Sequence, residues 1–186
     1  MNKIITVLVI FIFSSSGLKA QNASVEKSLF GIQTGVLGIW GYNESRLADQ
    51  FALRTEIGFD AGLWGGTLYD NSVNFALIPV ITFEPRWYYN IKKRANKKRR
   101  TWNNGANFLS LETSFYPDLF VISNAKNVGV ANQIYFVPKW GIKRNIGKHF
   151  GFEAGIGAGY GTLLERKSTL DDGFTVDLHL KIGYNF

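Results

Sequence analysis

The stretch Phe174 to Phe186, FTVDLHLKIGYNF, decides the reading. Phe174, Val176, Leu178, Leu180, Ile182, Tyr184 and Phe186 share one face, and Thr175, Asp177, His179, Lys181, Gly183 and Asn185 share the other. Unbroken alternation over thirteen residues marks a β-strand with one apolar and one polar face. An ordinary globular strand has about 5–6 residues. A tilted strand that crosses a bilayer needs ~9–11, and this one is long enough.

The pattern repeats upstream. Phe150, Phe152, Ala154, Ile156, Ala158 and Tyr160 alternate with Gly151, Glu153, Gly155, Gly157, Gly159 and Gly161. This glycine ladder keeps a spacing of two and lacks the Lys-Ser/Thr of a phosphate loop, so it reads as a small-residue face suited to a narrow barrel interior. The same alternation runs through 133–143 with Trp140 on its apolar side, and through 107–117, 75–91 and 51–63. The stretch Phe30 to Tyr42 is less regular, because Leu37 and Ile39 fall on its expected polar face. Seven strands are clear. A closed barrel of this kind has an even number, at least eight, so one more is expected from 21–41 or from a segment that reads as a loop.

Composition agrees with an all-β chain. The 186 residues include 20 Gly, 15 Phe, 8 Tyr, 5 Trp and only 4 Pro. There is no Cys and there are two His, which excludes a disulfide framework and thiolate metal sites and leaves no basis for a zinc or haem site. The N-terminus has Lys3, the apolar run Ile4 to Phe13, a Ser-Gly break, and Leu18-Lys19-Ala20 before Gln21. That is the layout of a secretory signal over 1–20, with the barrel over 21–186. A ten-residue run is too short for a helix to cross about 30 Å of hydrocarbon.

Alternation alone does not say which face is inside. The polar face carries Arg54, Glu56, Asp60, Glu84, Arg86, Glu112, Lys139, Lys143, Glu153, Asp177, His179 and Lys181. The signal, the strand length, the placement of Trp and the chain end together favour the charges inside and lipid outside. Trp40, Trp87 and Trp140 each precede a turn, and with Tyr89 they suggest the aromatic girdle of a membrane barrel.

The terminal Tyr184 and Phe186 on an alternating strand resemble the C-terminal signal of outer-membrane β-barrel proteins. From signal to final Phe, the chain resembles a small outer-membrane barrel of the OmpA/OmpX-like size class, of the type found in Bacteroidota. The resemblance implies an antiparallel up-and-down transmembrane β-barrel in the outer membrane, surrounded by its lipids. It implies recognition of the last strand by the barrel-assembly machinery, and a periplasmic C-terminus. The segments 45–50, 92–105 and 145–148 would then be periplasmic, and 65–74, 119–131 and 164–173 extracellular.

Lys92 to Arg100, KKRANKKRR, holds seven cations in nine residues. Loss of Lys3 and Lys19 with the signal would lower the net charge from +7 to +5, so the basic excess is this one run and not a basic surface. Without interleaved aromatics, nucleic acid is not the expected partner. The run reads either as a solvated turn or as a site for anionic phospholipid, at ~1 kcal/mol per cation.

An eight-stranded interior is just wide enough to be filled by side chains, so the inward charges should pair. His179 with Asp177 is the best candidate for chemistry, but no Ser is placed beside it by sequence and a polar-network role is expected. His149 reads as a turn or girdle residue. The sequence therefore predicts a structural or adhesive outer-membrane barrel with a filled, charge-paired lumen and without catalytic residue, cofactor or metal. A lipid A acyl hydrolase-like enzyme and a narrow pore for small solutes are the alternatives.

Overall fold

The structure is a computed structural model that describes residues 23–66, 70–126, 128–164 and 173–186. The expected signal over 1–20 and most of the 164–173 loop lie outside these residues. The strands are β1 (Ser28–Gly35), β2 (Gly38–Ala48), β3 (Phe51–Gly66), β4 (Asp70–Trp87), β5 (Asn107–Tyr116), the two-residue β6 (Ile122–Ser123), β7 (Gln133–Ile146), β8 (Phe150–Leu163) and β9 (Gly173–Asn185). A short helix α1 (Ile91–Asn96) and a 3-10 turn (Trp102–Asn104) lie between β4 and β5. No helix among the described residues is long and apolar enough to cross a membrane.

All pairings are antiparallel. The order β3-β2-β1-β9-β8-β7-β5-β4 closes through β3–β4 into an eight-stranded barrel, with β6 added outside on β4. The first described residues, ahead of β1, and Phe186 lie at one end, here called the termini end.

The eighth strand comes from the irregular stretch. Val36 and Leu37 form a two-residue turn, and β1 and β2 pair from Gly35↔Gly38 to Ser28↔Ser45. A two-residue turn inverts parity: the inward residues are odd in β1 (Leu29, Gln33) and even in β2 (Trp40, Tyr42, Glu44). Read as one strand, the segment cannot show this, and Leu37 and Ile39 look misplaced. Ile39 is in fact exposed.

Prolines sit where the ladder can spare them, since each lacks an N–H to donate. The β4–β5 register skips from Phe83 to Arg86, around Pro85. The β7–β8 register skips from Phe136 to Lys139, around Pro138. Pro79 lies between the stretch of β4 paired with β6 and the stretch paired with β5.

The expected basic turn is instead a folded cap. Tyr88, Ile91, Ala106 and Phe108 pack with Val25 and Ala52 into a fully buried cluster across the termini end. Two hydrogen bonds tie the segment ahead of β1 into it: Val25 N–H donates to the Asp49 carbonyl at 2.9 Å, and Glu26 N–H donates to the Asn104 side-chain Oδ1 at 2.7 Å. Asn103 and Asn104 have positive φ (49° and 59°), a conformation that Asn tolerates better than most residues.

The opposite end is lower on one side. The β1–β2 hairpin stops at Gly35 and Gly38, paired with Lys181 and Asp60. Beyond it, residues 61–66 of β3 and 173–180 of β9 have no ladder partner on that side among the described residues.

Candidate functional site: an ion-paired floor beneath a chamber

The interior has two halves. Near the termini end, four acids (Glu44, Glu56, Glu84, Glu153) meet four cations (Arg54, Arg86, Lys143, Lys181), all buried. Arg86 holds Glu153 with both terminal nitrogens, at 2.7 and 2.8 Å, and Glu84 at 2.6 Å. Arg54 contacts Glu44 at 2.6 Å and also bonds Glu56 through Nε. Lys143 reaches Glu44 at 2.7 Å, and Lys181 reaches Glu56 at 3.3 Å. Bidentate guanidinium–carboxylate geometry is the strong form of such pairing. Aromatic faces cover the cations: Arg54 lies 3.8 Å over the Tyr42 ring and Arg86 lies 4.2 Å over Phe108.

Glu44 joins wall to cap. Its Oε1 accepts from Arg54 and Lys143, and its Oε2 accepts from Tyr88 OH at 2.9 Å and Asn104 Nδ2 at 2.6 Å. The sequence reading missed Glu44, along with Gln33, Tyr42 and Tyr88. The signal was present: Trp40, Tyr42 and Glu44 alternate once the strand is divided at Val36-Leu37.

Above this floor is a chamber of about 620 Å³. Its walls include Trp40, Asp60, Glu112, Lys139, Asp177 and His179. The lumen is therefore not filled along its whole length, and this corrects the expectation of a packed interior. The inward face of β8 is mostly glycine, and side chains of the flanking strands β7 and β9 occupy the space that its own side chains would take. A Cβ at Gly155 would lie 2.5 Å from the His179 ring, and one at Gly157 would lie 2.5 Å from Lys139 Cγ. The ladder makes room for these two long side chains. The chamber also touches Val36, Leu37 and Leu178, which belong to the outer surface. It opens sideways over the low hairpin.

The chamber's charges are partly paired. Lys139 bridges Glu112 at 2.5 Å and Asp177 at 2.7 Å. Asp60 accepts from Trp40 Nε1 at 2.7 Å and from the Tyr116 hydroxyl. His179 places Nδ1 3.1 Å from Asp177 and Nε2 3.4 Å from Glu153. Both ring nitrogens thus face carboxylates. Ser114 lines the same chamber, but its hydroxyl is engaged by Thr82 and Glu112, at 2.9 and 3.1 Å. A nucleophile–base–acid arrangement is absent among the described residues, as is any group of three or more potential metal ligands.

Three of the four expected girdle residues are on the outer surface. Trp87 stacks on Phe51 at 6.0 Å and meets Tyr89 edge-on, and Trp140 Nε1 donates to Tyr89 OH at 3.0 Å. Trp40 is a correction: it is buried in the lumen, bonded to Asp60, with Lys181 Nζ 4.4 Å over its ring. The parity inversion at Val36-Leu37 turned it inward. Tyr184 and Phe186 are outward, packed edge-on against each other, and Tyr184 also meets Phe150. His149 stacks on Tyr184, and its Nδ1 lies 3.0 Å from Asn185 O.

Comparison with protein-family models, with curated proteins and with solved structures finds no match to this chain.

Proposed function

We propose that the protein is an integral outer-membrane β-barrel whose lumen is blocked at the termini end and hollow at the other. The observation that carries the reading is the inversion of polarity. Charged side chains such as Arg54, Glu44 and Arg86 are fully buried, while Leu178, Phe174 and Ile57 are 80, 74 and 65% exposed. In water this arrangement costs twice, by wetting a continuous apolar belt and by burying ions that gain nothing from being there. In a bilayer the belt faces acyl chains, and closure pairs the backbone of the strands around the barrel up to the level of the low hairpin. The export signal and terminal Phe186 expected from the sequence agree with the outer membrane.

Structural or adhesive service fits a barrel with a blocked floor better than conduction does. A hydrolase would need a hydroxyl at His179, and among the described residues its two ring nitrogens meet the carboxylates of Asp177 and Glu153 instead. One observation favours a second reading. The chamber opens sideways beside Leu37 and Leu178, as a binding site for a small amphiphile would require.

The test is Ile57→Arg and Ile156→Arg, two outward positions near mid-strand. In a bilayer each should cost ~2–4 kcal/mol of unfolding free energy. In a water-soluble barrel, changes at such exposed positions fall within about 0.5 kcal/mol. Measured effects of that smaller size, with protein that stays in solution without detergent, would defeat the proposal.

A further inference from the structure

The cap carries a concave basic site that the ion network leaves untouched. A pocket of about 390 Å³ is lined by Lys93, Arg94, Lys97 and Arg99 from the cap and by Arg144 from β7, with Tyr89, Asn90 and Asn107. These five cations have no acidic partner among the described residues, whereas Lys92 of the same run pairs with Asp49 at 3.1 Å.

The two most enclosed guanidiniums are held in place by uncharged oxygens. Arg94 Nε donates to Gly105 O at 2.8 Å, and Arg94 Nη2 donates to Arg100 O at 3.2 Å. Arg144 donates to Lys143 O at 2.8 Å and to Asn107 Oδ1 at 2.5 Å. Positioning is thus achieved without neutralisation. Partial burial and the field of Arg99 hold the Arg94 guanidinium below its ordinary pKa. Like charges gathered at fixed positions leave a demand for an anion.

Position on the barrel selects the anion. Arg144 continues the outward row of Trp140 and Ile142 on β7. Asn107 begins the outward row of Leu109 and Leu111 on β5. Tyr89 extends the outward row of Phe83 and Trp87 from β4. The strands β4, β5 and β7 are neighbours. The pocket therefore sits where three adjacent apolar rows end, with aromatic Trp87, Tyr89 and Trp140 at its edge.

We infer that this pocket is a headgroup site for an anionic phospholipid. The phosphate is held by Arg94 and Arg144, and the acyl chains lie along the β5 and β7 rows. The inference rests on the membrane reading. It goes beyond a general attraction of the basic run, because it needs Arg144 from the wall and only four of the run's seven cations.

The test uses the full chain in detergent micelles, titrated with phosphatidylglycerol or phosphatidylcholine of equal chain length, with retained lipid counted by native mass spectrometry. Glycerol phosphate serves as the soluble competitor. Phosphatidylglycerol should be retained preferentially. Arg94→Gln with Arg144→Gln should weaken it about 30-fold, the equivalent of ~2 kcal/mol for two cations. Lys98→Gln with Arg100→Gln removes the same charge outside the pocket and should change it less than about 3-fold. Because Arg94 also braces the cap, Lys93→Gln with Lys97→Gln is a second pocket variant that spares those bonds, and it should weaken retention as well.

Equal loss in the pocket and control variants would overturn the site, as would equal retention of the two lipids. Glycerol phosphate matching the lipid's affinity would also overturn it, since the apolar rows would then contribute nothing. These failures occur in a protein that still requires a bilayer. Failure of the membrane reading is separate and shows as a chain that needs no detergent.

Discussion

Glu44 is the residue on which wall and cap both depend, and Glu44→Gln tests the interior most sharply. The native carboxylate receives four donors: Arg54, Lys143, Tyr88 and Asn104, at 2.6, 2.7, 2.9 and 2.6 Å. Glutamine keeps the shape but replaces one acceptor oxygen by an NH2 group, which must point at a donor. It also leaves the buried ions one negative charge short, so Lys143 loses its counter-charge while Arg54 keeps Glu56. Breaking a buried pair in this way costs about 3–5 kcal/mol. If the loss is an uncompensated charge, removing one cation as well should restore part of it. Lys143→Met in the same chain takes away the surplus. The two contacting positions should then show a coupling of about 1–3 kcal/mol in a double-mutant cycle. The assay is urea unfolding of protein folded into lipid vesicles, followed by circular dichroism. A Glu44→Gln cost under ~1 kcal/mol, or a double variant no better than the single, would show that the floor is solvated and the reasoning wrong.

Other expectations follow from particular contacts. Gly157→Ala should lower stability by ~1–3 kcal/mol, because its Cβ would meet Lys139 and backbone; Gly62→Ala, with open space around it, should stay within about 0.5 kcal/mol in the same unfolding assay. Acyl-chain quenchers should quench Trp87 and Trp140 in single-Trp variants but spare Trp40, and strong quenching of Trp40 would contradict the parity inversion. In planar bilayers the protein should give no large steady conductance, since the floor and the cap of Tyr88, Ile91 and Phe108 close one end.

Much of this was legible in the order of residues. Thirteen alternating residues to Phe186 fix a long strand with one apolar and one polar face, and the strand length is what favours the charged rows as the interior. The β1–β2 hairpin was hidden because its turn is Val36-Leu37, without the Asn-Gly or Asp-Gly that normally marks a two-residue loop. Trp40 was misplaced and Glu44 overlooked for that same reason. The cap resisted reading differently. Lys92 to Arg100 looks like solvated charge, and its fold depends on Asn104 reaching Glu44, sixty residues away. The chamber was not legible, because alternation registers a face but not a volume.

The crossing ion pairs bear on how the molecule is made. Arg86 on β4 holds Glu153 on β8, and Lys181 on β9 holds Glu56 on β3. While the sheet is still an open ribbon these partners are far apart and each stays hydrated. Bringing the first and last strands together is therefore the same event as drying and neutralising the interior. Biogenesis should behave as a late, all-or-none step, in which a chain lacking one of these charges stalls as an unsealed sheet rather than maturing with a defect.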